Sequence, residues 1–95
     1  MVLLAITAAG LTEALRREES EDLVVWCGAD AISESAYDSL MRPLSRFDYE
    51  LKDDAFALED ALETIELHHP NQVVLVEDVG APNPSFQRTA TPPLN

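Results

Sequence analysis

Short apolar runs separated by amphipathic segments are the feature that most constrains the fold of this chain. Three runs are almost unbroken: VLLAIT (2–7), the centre of DLVVWCGA (22–29) and the centre of NQVVLVED (71–78). Such runs are typical of strands that are covered on both faces of a sheet. SRFDYEL (45–51) alternates between apolar and polar residues instead. That alternation predicts a strand with one buried face, in an antiparallel or edge position.

The first two segments between these strands have the spacing of short helices. LTEALRREES (11–20) predicts a helix for which Thr12 or Gly10 could supply the cap. ISESAYDSLMRP (32–43) predicts a second helix, for which Ser33 is a favourable N-cap. The chain therefore alternates strand and helix from its N-terminus.

The longest predicted helix has a strongly acidic outer face. It lies in DDAFALEDALETIELHHP (53–70), where apolar residues recur at helical spacing and predict an inner stripe. The acidic residues opposite this stripe are Glu59, Asp60, Glu63 and Glu66. A solvated helix face is the simpler interpretation, and a docking face for a basic partner is the functional one.

The predicted elements follow the order β-α-β-α-β-α-β. We therefore expect a small two- or three-layer α/β sandwich with a four-stranded mixed sheet, in which the first two strands are parallel neighbours. In this interpretation residues 1–79 form a single acidic α/β domain. Residues 80–95 form an irregular, proline-rich extended tail.

The charge balance excludes some classes of partner. The 95 residues include 18 acidic and 6 basic residues, which gives a net charge of −12. An acidic surface repels nucleic acids and anionic lipids and attracts basic proteins. We therefore expect no nucleic-acid partner and no membrane partner, and a basic protein as the candidate partner. Acidity that serves only solubility is the alternative.

The C-terminal segment NPSFQRTATPPLN (83–95) differs in composition from the rest of the chain. It resembles the read-through ends of proteins encoded in mobile integron gene cassettes, where the reading frame continues into the recombination site. This resemblance implies a small bacterial accessory protein that acts outside core metabolism. It carries no implication for the fold or activity of residues 1–79.

No pattern in the sequence indicates a catalytic residue, a cofactor site or a metal site. Cys27 lies in an apolar run and is interpreted as a buried thiol. His68 and His69 are adjacent on a helix and point about 100° apart, so they are poor joint ligands. If the first two strands are parallel, polar residues meet at one edge of the sheet. A candidate pocket there is formed by Thr7, Trp26, Asp30 and Tyr37.

Three functions are compatible with these features. The first is a non-enzymatic interaction module, of the antitoxin, immunity or regulatory type, that binds a basic partner. The second is a small-molecule binding protein or minor enzyme that uses the candidate pocket. The third is a structural homodimer, paired through the third strand or the tail. The N-terminus lacks the basic residues of a signal peptide, so we expect a cytoplasmic protein.

Overall fold

The computed structural model describes residues 1–19 and 22–88. Within these residues, strands and helices follow one another in the order β1 (Val2–Ala5), α1 (Ala8–Glu18), β2 (Val24–Cys27), α2 (Glu34–Ser39), β3 (Ser45–Arg46), α3 (Ala55–His68), β4 (Val74–Glu77) and β5 (Phe86–Arg88). The predicted α/β class is confirmed. No helix in the described ranges is long and apolar enough to cross a bilayer.

The five strands form one mixed sheet in the order β3-β2-β1-β4-β5. The first four are parallel, and β5 is antiparallel to β4. The mixed sheet and the parallel β1–β2 pair confirm the prediction. The predicted number of four strands is wrong, because Phe86–Arg88 adds a fifth strand from the segment that was predicted to be an irregular tail.

Helices cover both faces of this sheet. One core cluster contains the buried residues Val2, Leu4, Ile6, Trp26, Phe47, Leu51, Ala61 and Ile65. The other contains Leu3, Ala5, Leu11, Ala14, Val25, Cys27, Ala31 and Leu44. α3 contributes to the first cluster and α1 to the second, while alternate residues of β1 divide between them. The protein therefore has three layers, and the central strands are apolar because both of their faces are buried.

β3 is much shorter than the alternating segment 45–51 suggests. Phe47 and Leu51 are buried on the α3 side, as the alternation predicts. Strand pairing covers only Ser45 and Arg46, however. Two further backbone hydrogen bonds follow: the Phe47 amide donates to the Cys27 carbonyl at 2.8 Å, and the Ala29 amide donates to the Tyr49 carbonyl at 3.0 Å. β2 ends at Cys27, so β3 has no regular partner beyond that point. β3 does lie at an edge of the sheet, as predicted, and is parallel to β2.

Helix α1 begins earlier than predicted. Its N-cap is Thr7, whose hydroxyl accepts a hydrogen bond from the Gly10 amide at 3.1 Å, so the prediction of Thr12 or Gly10 is wrong. The reason is that β1 ends at Ala5, which leaves Thr7 in the turn and not in the strand. The predicted cap of α2 is confirmed: the Ser33 hydroxyl accepts from the Ala36 amide at 3.2 Å.

The described part of the predicted tail is attached to the sheet. β5 pairs with β4, and the Asp78 amide donates to the Ser85 carbonyl at 2.8 Å. Phe86 packs against the α1-side cluster, and the Arg17 guanidinium lies 5.4 Å from its ring centre. Residues 80–88 therefore contribute contacts to the domain. Residues 89–95, which complete the segment resembling integron read-through ends, lie outside the described residues.

Candidate functional site

The outward face of α3 carries both acidic side chains and large exposed apolar side chains. On the inner side of this helix, Ala61 and Ile65 are completely buried. On the opposite side, Phe56 is 86% exposed and Leu67 is 83% exposed. This face of the helix therefore presents large apolar side chains as well as charged ones.

Carboxylates occupy the surface between these two side chains. All four predicted partner-binding residues are exposed: Glu59, Asp60, Glu63 and Glu66. Asp60 accepts a hydrogen bond from the Tyr49 hydroxyl at 2.9 Å. Burial, followed by this hydrogen bond, raises the pKa of Tyr49 to about 12. Among the described residues, Glu59, Glu63 and Glu66 form no ion pair.

The acidic residues of helix α1, in contrast, form ion pairs with arginines. Glu13 is paired with Arg16 at 2.6 Å and with Arg17 at 2.8 Å, and these two arginines hold the pKa of the Glu13 carboxyl at about 2. Arg42 approaches Glu18 at 3.3 Å. α1 thus carries two acids and two arginines, whereas α3 carries four acids and no lysine or arginine. Unlike the acids of α1, the four acids of α3 form no ion pair with a lysine or arginine among the described residues.

Two of the four predicted pocket residues lie beyond the carboxyl ends of neighbouring strands. Thr7 follows β1 and Asp30 follows β2, and these strands are parallel neighbours. The Asp30 Oδ2 atom accepts from the amides of Leu51 and Lys52, at 3.2 and 2.8 Å. Its Oδ1 atom is buried without a hydrogen-bond partner in the described part of the chain. Thr7 and Asp30 therefore lie at the carboxyl ends of neighbouring strands, as the sequence suggests. Their side chains form hydrogen bonds with other residues of the protein.

The other two predicted pocket residues lie on opposite faces of the sheet. Trp26 belongs to the α3-side cluster, and its indole N–H donates to His69 Nε2 at 3.2 Å. Tyr37 packs on the α1 side, and its hydroxyl donates to the Leu44 carbonyl at 2.8 Å. The structure therefore does not bring Trp26 and Tyr37 together.

Glu77 is a residue that sequence reasoning missed. Its side chain is 7% exposed and lies at the end of β4. Its Oε1 atom accepts from the amides of Ile6 and Thr7, each at 2.7 Å, and its Oε2 atom accepts from the Thr7 hydroxyl at 2.5 Å. The only signal in the sequence is an acid that directly follows an apolar run. Its carboxylate lies at the N-terminus of α1, where a helix favours negative charge.

A shallow cleft of about 410 Å³ opens beside Glu77 on the α3 side. Its apolar floor is formed by Ile6, Leu51, Leu58 and Val76, and its rim includes Lys52 and Asp53. It lies between the carboxyl ends of the parallel strands β1 and β4, where the strand order in the sheet reverses, and open α/β sheets bind ligands at such positions. None of the four predicted pocket residues lines this cleft.

No protein family, no curated protein and no solved structure matches this chain.

The thiol and the adjacent histidines lack the surroundings of a reactive site. Cys27 is fully buried, and burial raises the pKa of its thiol to about 11, which disfavours the nucleophilic thiolate. His69 accepts the hydrogen bond from Trp26, and His68 packs against the same indole with ring centres 5.4 Å apart. Across residues 1–19 and 22–88, no group of three or more histidine, cysteine or acidic side chains could hold a metal ion.

Proposed function

We propose that this protein is a small bacterial, cytoplasmic interaction module that binds a basic partner protein through the outward face of α3. The observation that carries the proposal is the combination of an uncompensated acidic stripe with exposed Phe56 and Leu67 at its two ends. The residues of the interface are Glu59, Asp60, Glu63, Glu66, Phe56 and Leu67. Binding, and not catalysis, is the role of this surface.

Solubility alone accounts poorly for this arrangement. A solubilising surface mixes charges of both signs and keeps large apolar side chains covered. α1 fits that description, because its acids are paired with neighbouring arginines. α3 departs from it in both respects. An interface that recognises a basic surface requires free carboxylates for steering and apolar side chains for contact, and α3 presents both.

The experiment is affinity capture from bacterial lysate with three forms of the full chain. These are the natural sequence, the α3 variant Glu59→Gln/Glu63→Gln/Glu66→Gln, and the control Asp22→Asn/Glu34→Gln/Asp38→Asn. Both triple variants remove three exposed negative charges, so they differ only in which surface they alter. We expect one basic protein to be retained by the natural and control forms and lost from the α3 variant.

Two results would contradict the proposal. Retention of the same partner by the α3 variant would place the interface elsewhere. Loss from both triple variants to the same degree would mean that net charge, and not this face, governs binding. Circular dichroism of the three forms checks that each remains folded.

Small-molecule binding is the second candidate function, and the cleft between β1 and β4 favours it. A volume of about 410 Å³ with an apolar floor lies within the range of small-ligand sites. Val79 also lines this cleft, and the larger side chain of Val79→Trp would fill it. Fragments that shift the amide signals of Leu58 and Val76 in the natural protein, and not in the Val79→Trp variant, would support this function. A complete absence of such fragments would remove it.

The homodimer prediction concerns other surfaces of the molecule. α3 is a poor surface for self-association, because two copies facing each other would oppose like charges. The predicted pairing elements are β3, at one edge of the sheet, and the tail, of which β5 forms the other edge. Sedimentation equilibrium decides whether either edge pairs with a second copy.

A further inference from the structure

Each end of the α3 face contains a shallow cleft. The N-terminal cleft has a volume of about 540 Å³ and is lined by Tyr49, Glu50, Asp54, Phe56, Ala57 and Asp60. The C-terminal cleft has a volume of about 490 Å³ and is lined by Glu63, Glu66, Leu67 and Pro70. Both clefts combine one large exposed apolar side chain with carboxylates around it.

Helix geometry fixes the distance between the exposed apolar side chains of the two clefts. Phe56 and Leu67 are eleven positions apart in one continuous helix. Eleven residues correspond to about three turns, so both side chains point in the same direction and lie about 16 Å apart along the axis. Phe56 and Leu67, one from each cleft, are therefore presented together to one partner, at a spacing that the helix holds rigid.

The chemistry of each cleft suits a long basic side chain. An arginine carries an aliphatic stem that packs on apolar surface and a charged end that pairs with carboxylates. In the N-terminal cleft, a guanidinium can lie over the exposed ring of Phe56, a favourable contact between a cation and an aromatic face. In the C-terminal cleft, the stem can pack on Leu67 and Pro70 while its charge approaches Glu63 and Glu66.

We propose that α3 recognises a basic polypeptide segment by two arginines held about 16 Å apart, one in each cleft, with the remaining carboxylates of the helix between them. This inference rests on the proposed function, since it specifies the partner of the same face. It adds a requirement for spacing, which a uniformly acidic surface would not impose. Two linked contacts bind more tightly than two separate ones only when their spacing matches the sites.

Two peptides of identical composition test the spacing requirement on the full chain. One is Arg-Pro-Pro-Pro-Pro-Pro-Arg, whose polyproline helix places both arginines on one side at a separation of about 19 Å, within reach of their flexible side chains. The other is Arg-Arg-Pro-Pro-Pro-Pro-Pro, whose arginines are adjacent. Titrations at low salt, followed through amide chemical shifts, give the affinity of each peptide and the residues that it touches.

We expect the spaced peptide to shift signals at both ends of α3 and to bind about fivefold more tightly than the adjacent one. Phe56→Ala or Leu67→Ala should each remove this preference. Met41→Ala is the matched control, because Met41 is 94% exposed outside this face, and it should leave the preference intact.

The remaining outcomes separate the two proposals. Equal affinity for both peptides, lowered in the Glu59→Gln/Glu63→Gln/Glu66→Gln variant, would overturn the spacing requirement and leave the acidic interface in place. Binding of neither peptide would count against both. A preference that survives Phe56→Ala and Leu67→Ala together would overturn the assignment of the two clefts.

Discussion

The Thr7 hydroxyl donates a hydrogen bond to the Glu77 carboxylate at 2.5 Å, and this contact joins the carboxyl ends of the neighbouring strands β1 and β4. The same hydroxyl accepts from the Gly10 amide, so one side chain caps α1 and orients Glu77. The Glu77 carboxylate also accepts hydrogen bonds from the backbone amides of Ile6 and Thr7. The site where many α/β sheets hold a ligand is thus partly filled by the protein's own carboxylate.

Removal of the Glu77 carboxylate should destabilise the protein strongly. Glu77→Ala leaves the buried Ile6 amide and its Thr7 neighbour unpaired, at a cost of about 3 kcal/mol in the free energy of unfolding. Thr7→Val should cost about 1–2 kcal/mol, while Thr7→Ser, which keeps the hydroxyl, should cost less. Urea unfolding measures all three, and equal stability of the Val and Ser variants would contradict the role of the hydroxyl.

Gly10→Ala tests the close approach of Glu77 to α1. Alanine in place of glycine usually stabilises a helix by about 1 kcal/mol. At this position the added methyl group would overlap the Glu77 carboxylate, which is buried and held by three donors. We expect Gly10→Ala to destabilise the natural protein and to stabilise the Glu77→Ala variant, which has the space. The same sign of effect in both backgrounds would show that the two residues are not coupled.

Cys27 should make stability depend on alkaline pH. Its thiol has a pKa of about 11 in the folded protein and an ordinary value of 9.0, so the folded state favours the protonated form. The contribution is fully present below pH 9 and is lost as the pH rises toward 11, with a total of about 2–3 kcal/mol. Urea unfolding at pH 8 and pH 10.5 measures the loss, and Cys27→Ala should show less of it. An identical loss in that variant would assign the effect to other groups, such as Tyr49.

Truncation separates the two parts of the C-terminal segment. A chain that ends at Val79 lacks β5 and the packing of Phe86, and it exposes the hydrogen-bonding edge of β4. We expect its melting temperature to fall well below that of a chain that ends at Arg88. Equal melting temperatures for the two chains would mean that β5 adds nothing to the stability of the domain.

The sequence predicted best those elements that burial dictates. The apolar runs that include Val2–Ala5, Val24–Cys27 and Val74–Glu77 became strands because both faces of each are covered. The alternation in residues 45–51 predicted which side chains are buried. It did not predict the length of β3, because strand pairing depends on where the neighbouring β2 ends.

The sequence did not predict the features that depend on contacts between residues far apart in the chain. β5 has only three residues and follows two prolines, and its pairing is supplied by β4. The contact of Glu77 with Thr7 joins residues seventy positions apart, and no local pattern encodes it. On α3, helical periodicity predicted the exposure of the acidic residues. It did not predict that Phe56 and Leu67, at the two ends of this acidic face, are exposed as well.

The most direct test of the interface is the salt dependence of binding to the captured partner after purification. The experiment compares the dissociation constants of three forms: the natural chain, the α3 triple variant and the Asp22→Asn/Glu34→Gln/Asp38→Asn control. The salt concentration is raised from about 50 to about 300 mM, which shortens the Debye length from about 14 to about 6 Å. We expect the α3 variant to bind about tenfold more weakly at low salt and to lose most of the salt dependence, while the control stays close to the natural chain. Equal dissociation constants and equal salt dependence for all three would contradict the assignment of α3 as the binding face.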